Sequence, residues 1–323
     1  MAHGWIAAPR GGAYLAIVYV SEGRCPSKVR ELATLASTAA ARVRSPTAPP
    51  ALVAHSFADP TYNRTSFFFV GSQVAASASA FVTSVLATLD FSRHRGTHPT
   101  LGTVDHVCFS PLGTATLDES AAEASSFASS LQCNEPTLPI YAYGPVLTGL
   151  RLRDIRKRLG YFSAKETCGA QTIAALMTTV REHPPTTAWR RVLAQQSSHD
   201  ELCRQDVSPA KHGVLCVGSV PFVLNYNLRC RLQDPKVAVA KITSAVRCPE
   251  VEALTLQHRD GAYEVACNLL DSRSVPPETV LAIAAAAAND VGAAITDDYF
   301  TGPTETALLD AWRTHACGED CPC

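Results

Sequence analysis

The sequence predicts an α+β protein built from two halves of the same architecture, and three observations support this fold class. Hydrophobic residues make up 46% of the 323 residues and charged residues 18%, which is typical of a folded chain with a large core. Short apolar runs rich in β-forming residues alternate with longer runs of helical periodicity. The order β-α-β-β-α-β occurs twice, and it is characteristic of a ferredoxin-like subdomain with helices on one face of a mainly antiparallel sheet.

The first half supplies its elements in this order, followed by one extra strand. Pro26 stands near the start of the first helix, where its fixed backbone angle favours a helical turn. The third helix carries acidic residues in its first turn, as helix N-termini often do. In chain order the predicted elements are the strand "AYLAIVYV", helix 26–43, the hairpin strands "LVAHSF" and "TSFFFVG", helix 72–91, strand 104–112, helix 118–132 and strand 138–144.

The second half repeats the pattern after a less regular stretch. Residues 151–206 are interpreted as an inter-domain connector, with a basic helix in "LRLRDIRKRLGYF" and later helical stretches that end at two prolines. A strand over 213–228 then opens the repeat, and the Asp-Gly pair in "HRDGAY" is a strong hairpin signal. The predicted domains are 1–206, which includes the connector, and 207–323, which includes a cysteine-rich tail. The remaining predicted elements are the helix "PKVAVAKITSAVR", the strands "VEALTLQH" and "AYEVACNLL", the helix "PPETVLAIAAAAANDVG", the strand "AITDDYF" and the helix "TETALLDAWRTH".

Charge and cysteine usage limit the classes of partner. The net charge of −1 gives no general attraction to nucleic acid or to an anionic membrane, and we expect neither as a partner. The longest apolar run near the start is too short to span a bilayer and no small-residue cleavage site follows it, so we expect a cytoplasmic protein. Several of the twelve cysteines lie in apolar runs, as reduced core thiols do. The tail "HACGEDCPC" offers soft metal ligands, but a frayed acidic terminus is the favoured interpretation.

The segment "HRGTHPTLG", residues 94–102, is the first candidate site. A metal centre is disfavoured because Gly96 and Pro99 interrupt the helix that would place His94 and His98 on one face, and no metal is expected. As a catalytic loop the segment is coherent: Gly96 lets the backbone approach a ligand, and His98 has a side chain whose ordinary pKa suits proton transfer in both directions. From spacing alone, the favoured interpretation is that His94 and His98 are surface loop residues.

Several motifs together resemble the glutamate formiminotransferase family, in particular its shorter plant-type members without a cyclodeaminase domain. The similarity covers about residues 12–315, nearly the whole chain. The combination of "NRT" and "FVG" with the histidine loop is specific to that family. The motifs are "VYVSEGR", "DPTYNRTSFFFVGS", "DFSRHRGTHPTLGTVDHVCFSPL", "LPIYAYG", "VLNYNL" and "YEVACNLLD".

The resemblance implies two ferredoxin-like subdomains with a folate tunnel between them, a homodimer, and tetrahydrofolate as co-substrate. The family moves a formimino group from N-formiminoglutamate to N5 of tetrahydrofolate. Its catalytic histidine corresponds to His98, and its substrate and folate contacts correspond to Asn63, Arg64, Thr65, Gly96, Asp105, Gly213, Gly218 and Asn227.

The side-chain chemistry of three of these residues is consistent with the implied roles. The planar fork of Arg64 matches a carboxylate of substrate or folate. A carboxylate at Asp105 next to the imidazole would orient it and favour its protonated form. Asn227 lies on a predicted strand that could present its side chain to a cleft. For Arg64 and Asn227, structural roles within the hairpin or sheet stay open as alternatives.

The chain departs from the family pattern in the loop before the second half, where "CRQDVSPAKHG" keeps only the glycine spacing, and at two places that lack carboxylates. Family enzymes carry a glutamate directly before the catalytic His-Pro pair, where this chain has Thr97, and acidic residues where it has Phe57 and its neighbours. Loss of carboxylates beside a cationic amidine weakens its binding, because charge-assisted hydrogen bonds are the stronger ones. The alternatives to a transferase are therefore a folate-binding protein with weak or no transfer activity, or a regulatory or interaction protein on this fold.

Overall fold

The computed structural model describes residues 12–43, 49–163, 167–185, 207–231 and 235–317. Cys321 and Cys323 of the tail lie outside these residues. The chain divides into two compact units: Met1–Val220 together with Thr306–Cys323, and Pro221–Glu305. No helix in the described ranges combines the length and the apolar character that a membrane crossing requires.

The first unit contains a six-stranded sheet and a small two-stranded one. The described strands of this unit are β1 (Ala13–Val20), β2 (Leu52–Asp59), β3 (Arg64–Gly71), β4 (Arg95–Gly96), β5 (Val104–Leu112), β6 (Ile140–Tyr143), β7 (Thr167–Cys168) and β8 (Leu215–Ser219). The large sheet has the order β2-β3-β1-β5-β8-β6, and its first four strands are antiparallel neighbours. These four have the ferredoxin-like order that the sequence predicts, which confirms the α+β fold class.

Strand β8 extends the first sheet and corrects one sequence-based expectation. The sequence suggests a single strand over 213–228, whereas the structure has two strands separated by a break at Pro221. β8 pairs in parallel with both β5 and β6, and its residues are all buried. A strand covered on both faces is a continuous apolar run, as "LCVGS" nearly is, so the pattern alone did not show which sheet it joins.

Helices cover both faces of the first sheet. The described helices of this unit's main segment are α1 (Pro26–Arg42), α2 (Val74–Thr88), α3 (Leu117–Asn134), α4 (Leu152–Arg158) and α5 (Gly169–Glu182). The first three helices pack on one face around an aromatic core that contains Phe67, Phe81 and Phe109. α3 begins with a capping box, in which the Thr116 side chain and Glu119 satisfy each other's backbone N–H groups.

The segment expected to be an irregular connector has regular structure where it is described. α4 and α5 pack on the sheet face that α1–α3 leave, and Ile155, Leu159 and Leu176 form a second core there with Tyr141 and Cys216. β7 pairs with β4, which lies in the histidine loop. The connector therefore packs against the candidate site.

The second unit repeats the βαββαβ order. Its elements are β9 (Leu224–Arg231), α6 (Pro235–Val246), β10 (Val251–Gln257), β11 (Tyr263–Leu269), α7 (Pro277–Asn289) and β12 (Ala294–Phe300). The sheet has the order β10-β11-β9-β12 with antiparallel neighbours, as in the first unit. The helices pack on one face around a core that includes Leu228, Val239, Val265 and Val280.

The last helix, α8 (Glu305–Cys317), groups with the first unit from Thr306 onward. Its Trp312 is buried, and a Cβ at Gly71 of β3 would lie 3.5 Å from that indole ring. The sequence-based division after residue 206 differs from the observed grouping by β8 and by this helix. Sequence proximity assigns both to the second half, whereas packing places them with the first.

Candidate active site

A buried carboxylate with two arginines lies on the face of the first sheet opposite α1–α3. Asp105, on β5, is 1% exposed. Its Oδ2 accepts a hydrogen bond from Nη1 of Arg64 at 3.0 Å and another from Nη2 of Arg156. Its Oδ1 accepts the backbone N–H of Leu101 at 3.1 Å. Burial alone would raise the pKa of Asp105, but the two guanidinium groups hold it well below the usual value, so the carboxylate is charged.

His98 lies beside this cluster in the loop between β4 and β5. Its Nδ1 is 2.7 Å from the carbonyl oxygen of Pro99 and 3.5 Å from Nη1 of Arg64. A carbonyl only accepts, so Nδ1 carries the proton and donates it to Pro99, which leaves the lone pair on Nε2. Thr167 on β7 fixes the loop, because its hydroxyl donates to the carbonyl of His98 at 3.1 Å. The ring of Tyr62 packs edge-on against the imidazole, 5.4 Å between centroids.

The imidazole of His98 is neutral at physiological pH. Burial, followed by the charge of Arg64, lowers the pKa of His98 to about 3. Asp105 has the expected direction of effect, since its charge raises the pKa of His98, but burial and the arginines outweigh it. The carboxylate binds Nη1 of Arg64, and this guanidinium group, rather than the carboxylate, lies next to the imidazole. A neutral imidazole has a lone pair on Nε2 that can take up a proton.

A second imidazole, that of His106, lies on the other side of the arginines. It stacks on Tyr19 with ring centroids 4.2 Å apart and planes within 10°. Its Nδ1 lies 3.1 Å from Nη2 of Arg156 and 3.4 Å from Nη2 of Arg64, so this nitrogen is the acceptor. Burial, followed by Arg156, lowers the pKa of His106 to about 3. Both imidazoles in contact with the arginines are therefore uncharged.

Asn63 holds the hairpin turn that presents Arg64. It has a positive φ of 53°, a conformation that Asn tolerates better than most residues. Its Oδ1 accepts the backbone N–H groups of Gly23 and Arg24 at 2.9 and 3.0 Å, and its Nδ2 donates to the carbonyl of Arg95 at 3.0 Å. Asn63 thus ties the β1–α1 loop and the histidine loop to the turn.

Two threonines near the site also bind backbone. The hydroxyl of Thr65 donates to the carbonyl of Glu22 at 2.5 Å, and that of Thr97 donates to the carbonyl of Thr61 at 3.3 Å. Thr97 supplies no charge at the position where the family pattern has a carboxylate. The structure gives Thr65 a positioning contact at the start of β3.

His94 and Gly96 form the buried base of the histidine loop. His94 is 5% exposed, and its Nδ1 lies 2.9 Å from the carbonyl of Ser21, which makes it the donor. Burial lowers the pKa of His94 to about 4. A Cβ at Gly96 would lie 2.5 Å from the carbonyl oxygen of Tyr62, so only glycine allows this approach of loop and hairpin. The two histidines of the loop therefore differ: His94 is packed inside, and His98 lies at the arginines.

The glycines predicted near folate have close packing contacts. Gly213 has a positive φ of 72°, and a Cβ there would lie 2.1 Å from the carbonyl of Leu101, so it permits the backbone contact that closes the far end of the histidine loop. A Cβ at Gly218 would lie 2.5 Å from the ring of Tyr143, so this glycine leaves room for that ring. The close neighbours of Gly213 and Gly218 are thus protein atoms, and the predicted folate contacts of these glycines stay predictions.

Asn227 belongs to the second unit, on β9. Its Nδ2 lies 3.4 Å from the hydroxyl of Tyr299 and 3.5 Å from the carboxylate of Glu264. Arg229 also binds Glu264, through Nη2 at 3.0 Å and Nε at 3.2 Å. Asn227 is thus a member of a hydrogen-bonded group on this sheet.

Sequence reasoning missed four residues that complete the site. Arg156 stands in a segment interpreted as a connector, and its only sequence signal is a basic helix. Tyr161 lies under the Arg156 guanidinium group, 4.2 Å from Cζ to the ring centroid. His106 directly follows Asp105, and Thr167 precedes α5. Regular alternation on β5 would place His106 on the face opposite Asp105, and only the shift in pairing with β1 at this point brings the two together. Nothing local in the sequence indicates the contacts of the other three residues.

Acid should unfold the protein in a range set by its buried histidines. Burial lowers the pKa of His98 and His106 to about 3 and that of His94 and His212 to about 4. The unfolded chain binds these protons near the ordinary pKa of about 6.5, so stability is full above that value and falls as pH drops toward 4. For each histidine, the free energy of unfolding falls by up to about 1.4 kcal/mol per pH unit in this range. Urea unfolding at pH 7 and pH 5 measures the difference.

The variant His212→Gln should make this pH dependence shallower, because it removes one of the four groups. His183→Gln, at the exposed end of α5, is the control and should leave the slope unchanged. Equal unfolding free energies of the native protein at the two pH values would contradict the assignment.

The fold and this site define a class: a protein of two βαββαβ units whose first unit holds a neutral imidazole beside paired arginines. The described residues contain no group of three or more His, Cys, Asp or Glu side chains that could hold a metal ion. Proton transfer on an anionic substrate is the chemistry that such side chains support.

Comparison with known proteins gives the family. A family model described as the N-terminal subdomain of the formiminotransferase domain matches residues 13–218. A formiminotransferase cyclodeaminase-like protein of Arabidopsis thaliana is 29% identical over 280 residues, which cover 82% of this chain and 87% of that protein. The chain belongs to the formiminotransferase family.

Mammalian relatives match over a shorter stretch. The formimidoyltransferase-cyclodeaminase of Sus scrofa is 36% identical over 87 residues, and that of Rattus norvegicus is 33% identical over 89. These stretches cover 26% and 27% of this chain and 16% of each mammalian protein.

Proposed function

We propose that the protein is a tetrahydrofolate-dependent transferase that moves a formimino or formyl group between N-formiminoglutamate and N5 of tetrahydrofolate. The observation that carries the proposal is the geometry of His98: Nδ1–H donates to Pro99, and the half-buried ring keeps the lone pair on Nε2. The names of the relatives support the same reaction class. The homodimer and the cytoplasmic location stay predictions.

The proposed reaction needs one group that acts first as base and then as acid. N5 of tetrahydrofolate attacks the amidine carbon of the donor and forms a tetrahedral intermediate. Nε2 of His98 takes the proton from N5 and then gives it to the departing glutamate nitrogen, while the carbon–nitrogen bond to glutamate breaks. The products are 5-formiminotetrahydrofolate and glutamate, and the imidazole returns to its neutral form.

The neighbouring residues support this cycle. The hydrogen bond from Nδ1–H to Pro99 fixes the imidazole, so the nitrogen that takes up the proton is also the one that returns it to the leaving group. Arg64 is positioned by Asn63 and by Asp105, and its guanidinium group lies where a substrate carboxylate could bind next to the imidazole. Thr65 and Gly96 fix the hairpin and loop that carry these groups.

One observation favours a second candidate function, a folate-binding protein with weak transfer. The hydroxyl of Thr97 is engaged with the carbonyl of Thr61 and places no negative charge before His98. A cationic amidine would lack one charge-assisted contact there, whereas a neutral pterin ring would not need it.

Two measurements on the purified full-length protein test the proposal. Calorimetric titration with tetrahydrofolate measures binding, and mass spectrometry of a mixture with N-formiminoglutamate detects 5-formiminotetrahydrofolate and glutamate. We expect micromolar binding and product formation. Binding without product supports the second candidate, and absence of folate binding contradicts both.

A further inference from the structure

The cluster around Asp105 has more positive than negative charge. Two guanidinium groups, those of Arg64 and Arg156, share the single carboxylate of Asp105. The imidazoles of His98 and His106 are neutral beside them. The side chains of the arginines are 13% and 14% exposed, so their charge is poorly screened by water. One positive charge is left without a partner in this group of residues.

Arg156 also has donors to spare. Its Nη2 contacts both Asp105 and His106, and its Nε is buried without a hydrogen-bond partner among the described residues. A buried N–H without an acceptor costs free energy, so such groups usually meet a water or a ligand. The fork of a guanidinium group matches the two oxygens of a carboxylate.

Neighbouring side chains hold the guanidinium group of Arg156 in a fixed position. This guanidinium group lies over the ring of Tyr161, and Ile155 of α4 and Leu159 after it are buried in the adjacent core. Arg64 is fixed in a similar way over the ring of Tyr19, 4.7 Å from Cζ to the centroid. Two guanidinium groups with fixed positions lose little entropy when a ligand binds.

We propose that Arg156 and Arg64 together bind one carboxylate of a glutamyl group, and that this binding activates His98 as a base. The inference rests on the proposed function, since it concerns the same site. The carboxylate belongs either to the formimino donor or to the glutamyl tail of the folate. Arg156 is in this view a positioning and specificity residue that acts on His98 through charge.

The coupling follows from the groups around His98. They are Arg64 on β3, Tyr62 in the hairpin turn, Asp105 on β5, Arg156 on α4, and Tyr161 after it, while His106 lies on the other side of the arginines. Arg64 and Arg156 lower the pKa of His98 in addition to burial, and Asp105 opposes them in part. A ligand carboxylate on the arginines cancels the remaining positive charge, so proton binding at the imidazole becomes easier.

Through this coupling, His98 becomes a stronger base only when a ligand carboxylate is bound to the arginines. An imidazole whose pKa is about 3 accepts protons weakly, whereas the best catalytic pKa lies near the working pH. A nearby opposite charge shifts a pKa by about one to three units. Carboxylate binding therefore brings His98 toward the useful range at the moment when the substrate is present.

The test uses the full-length protein labelled with ¹⁵N-histidine, with the His98 signals assigned by comparison with His98→Gln. Spectra at about pH 5.5, where a free imidazole is largely protonated, report the protonation of His98. The probes are N-acetylglutamate, which represents the donor, and p-aminobenzoylglutamate, which represents the folate tail. Sodium chloride at equal ionic strength is the control. We expect a neutral ring in chloride and a shift toward the protonated form with at least one probe; the probe that produces it identifies the source of the carboxylate.

Variants of α4 separate binding from structure. Arg156→Gln should weaken binding of the active probe at least about tenfold and abolish the His98 shift, because one charged fork is lost. Arg156→Lys keeps the positive charge and serves as the second variant if Arg156→Gln does not fold. It should retain the probe-induced shift of the His98 signal but bind the probe more weakly than the native protein. Arg158→Gln, on the exposed face of the same helix, is the matched control and should behave as the native protein.

The proposal is overturned if neither probe changes the His98 signal of the native protein, or if Arg156→Gln leaves probe affinity and shift unchanged. Failure of the proposed function gives a different result. In that case the carboxylate probes would still bind and shift His98, while N-formiminoglutamate and tetrahydrofolate would give no product.

Discussion

Replacement of His98 by glutamine should lower the turnover number of formimino transfer by about 10²–10⁴-fold, the range that a positioned acid–base group contributes. Glutamine fills much of the same space and can keep the hydrogen bond to the carbonyl of Pro99, but it has no lone pair that takes up a proton at neutral pH. The dissociation constant for tetrahydrofolate should change little, because the imidazole acts on the proton at N5. Steady-state transfer kinetics and calorimetric titration measure the two quantities on the same preparation.

The control for this prediction is His183→Gln, which replaces an exposed histidine at the end of α5. It should keep native turnover and native affinity. Turnover of His98→Gln within a factor of about three of the native protein would exclude the acid–base role. A parallel loss of folate affinity and unfolding free energy would instead assign a structural role to the imidazole.

Replacement of Asp105 by asparagine should lower the free energy of unfolding by about 3–5 kcal/mol, as breakage of a buried ion pair typically does. Asparagine can still accept the backbone N–H of Leu101, so the change isolates the charge. Without the carboxylate, the guanidinium groups of Arg64 and Arg156 lie close together in a poorly screened site and repel each other. Urea unfolding at neutral pH, followed by circular dichroism, measures the loss.

The matched control is Asp154→Asn on α4. Asp154 pairs with Arg151 at 3.1 Å, but the Arg151 side chain is 65% exposed, and a surface pair of this kind contributes about 0–1 kcal/mol. The additional change Arg156→Gln should recover part of the loss in Asp105→Asn, because one of the two repelling charges is removed. Equal costs for Asp105→Asn and Asp154→Asn would contradict the charge balance described for the site.

Local patterns were sufficient for much of the fold. Alternating apolar residues and helical periodicity predicted both βαββαβ repeats, since burial of one face imposes these periods on any sequence. The motif around His98 singled out the candidate imidazole. The close approach at Gly96 is to the carbonyl of Tyr62 in the hairpin, and the predicted approach to a ligand stays a prediction. Recognition of the family came from the same motifs, and the family model confirms it.

The local pattern did not determine which sheet β8 joins. The run "LCVGS" reads as a buried strand in either half, and its parallel pairing with β5 and β6 is a long-range choice. The expected contact between Asp105 and His98 failed for a similar reason. The two residues are seven positions apart in the chain, but the charge next to the imidazole comes from Arg64 in the hairpin, 34 positions from His98.

The sequence by itself determined the fold class, the family and the imidazole most suited to proton transfer, because these depend on short-range periodicity and on motifs that are contiguous in the chain. Only the tertiary structure decided the electrostatics of the site. Arg156 comes from a helix 51 residues beyond Asp105, and its burial against Tyr161 places a second positive charge on one carboxylate. A pKa depends on charges and burial in space, so no spacing along the chain could have shown that His98 is neutral and lies beside a surplus of positive charge.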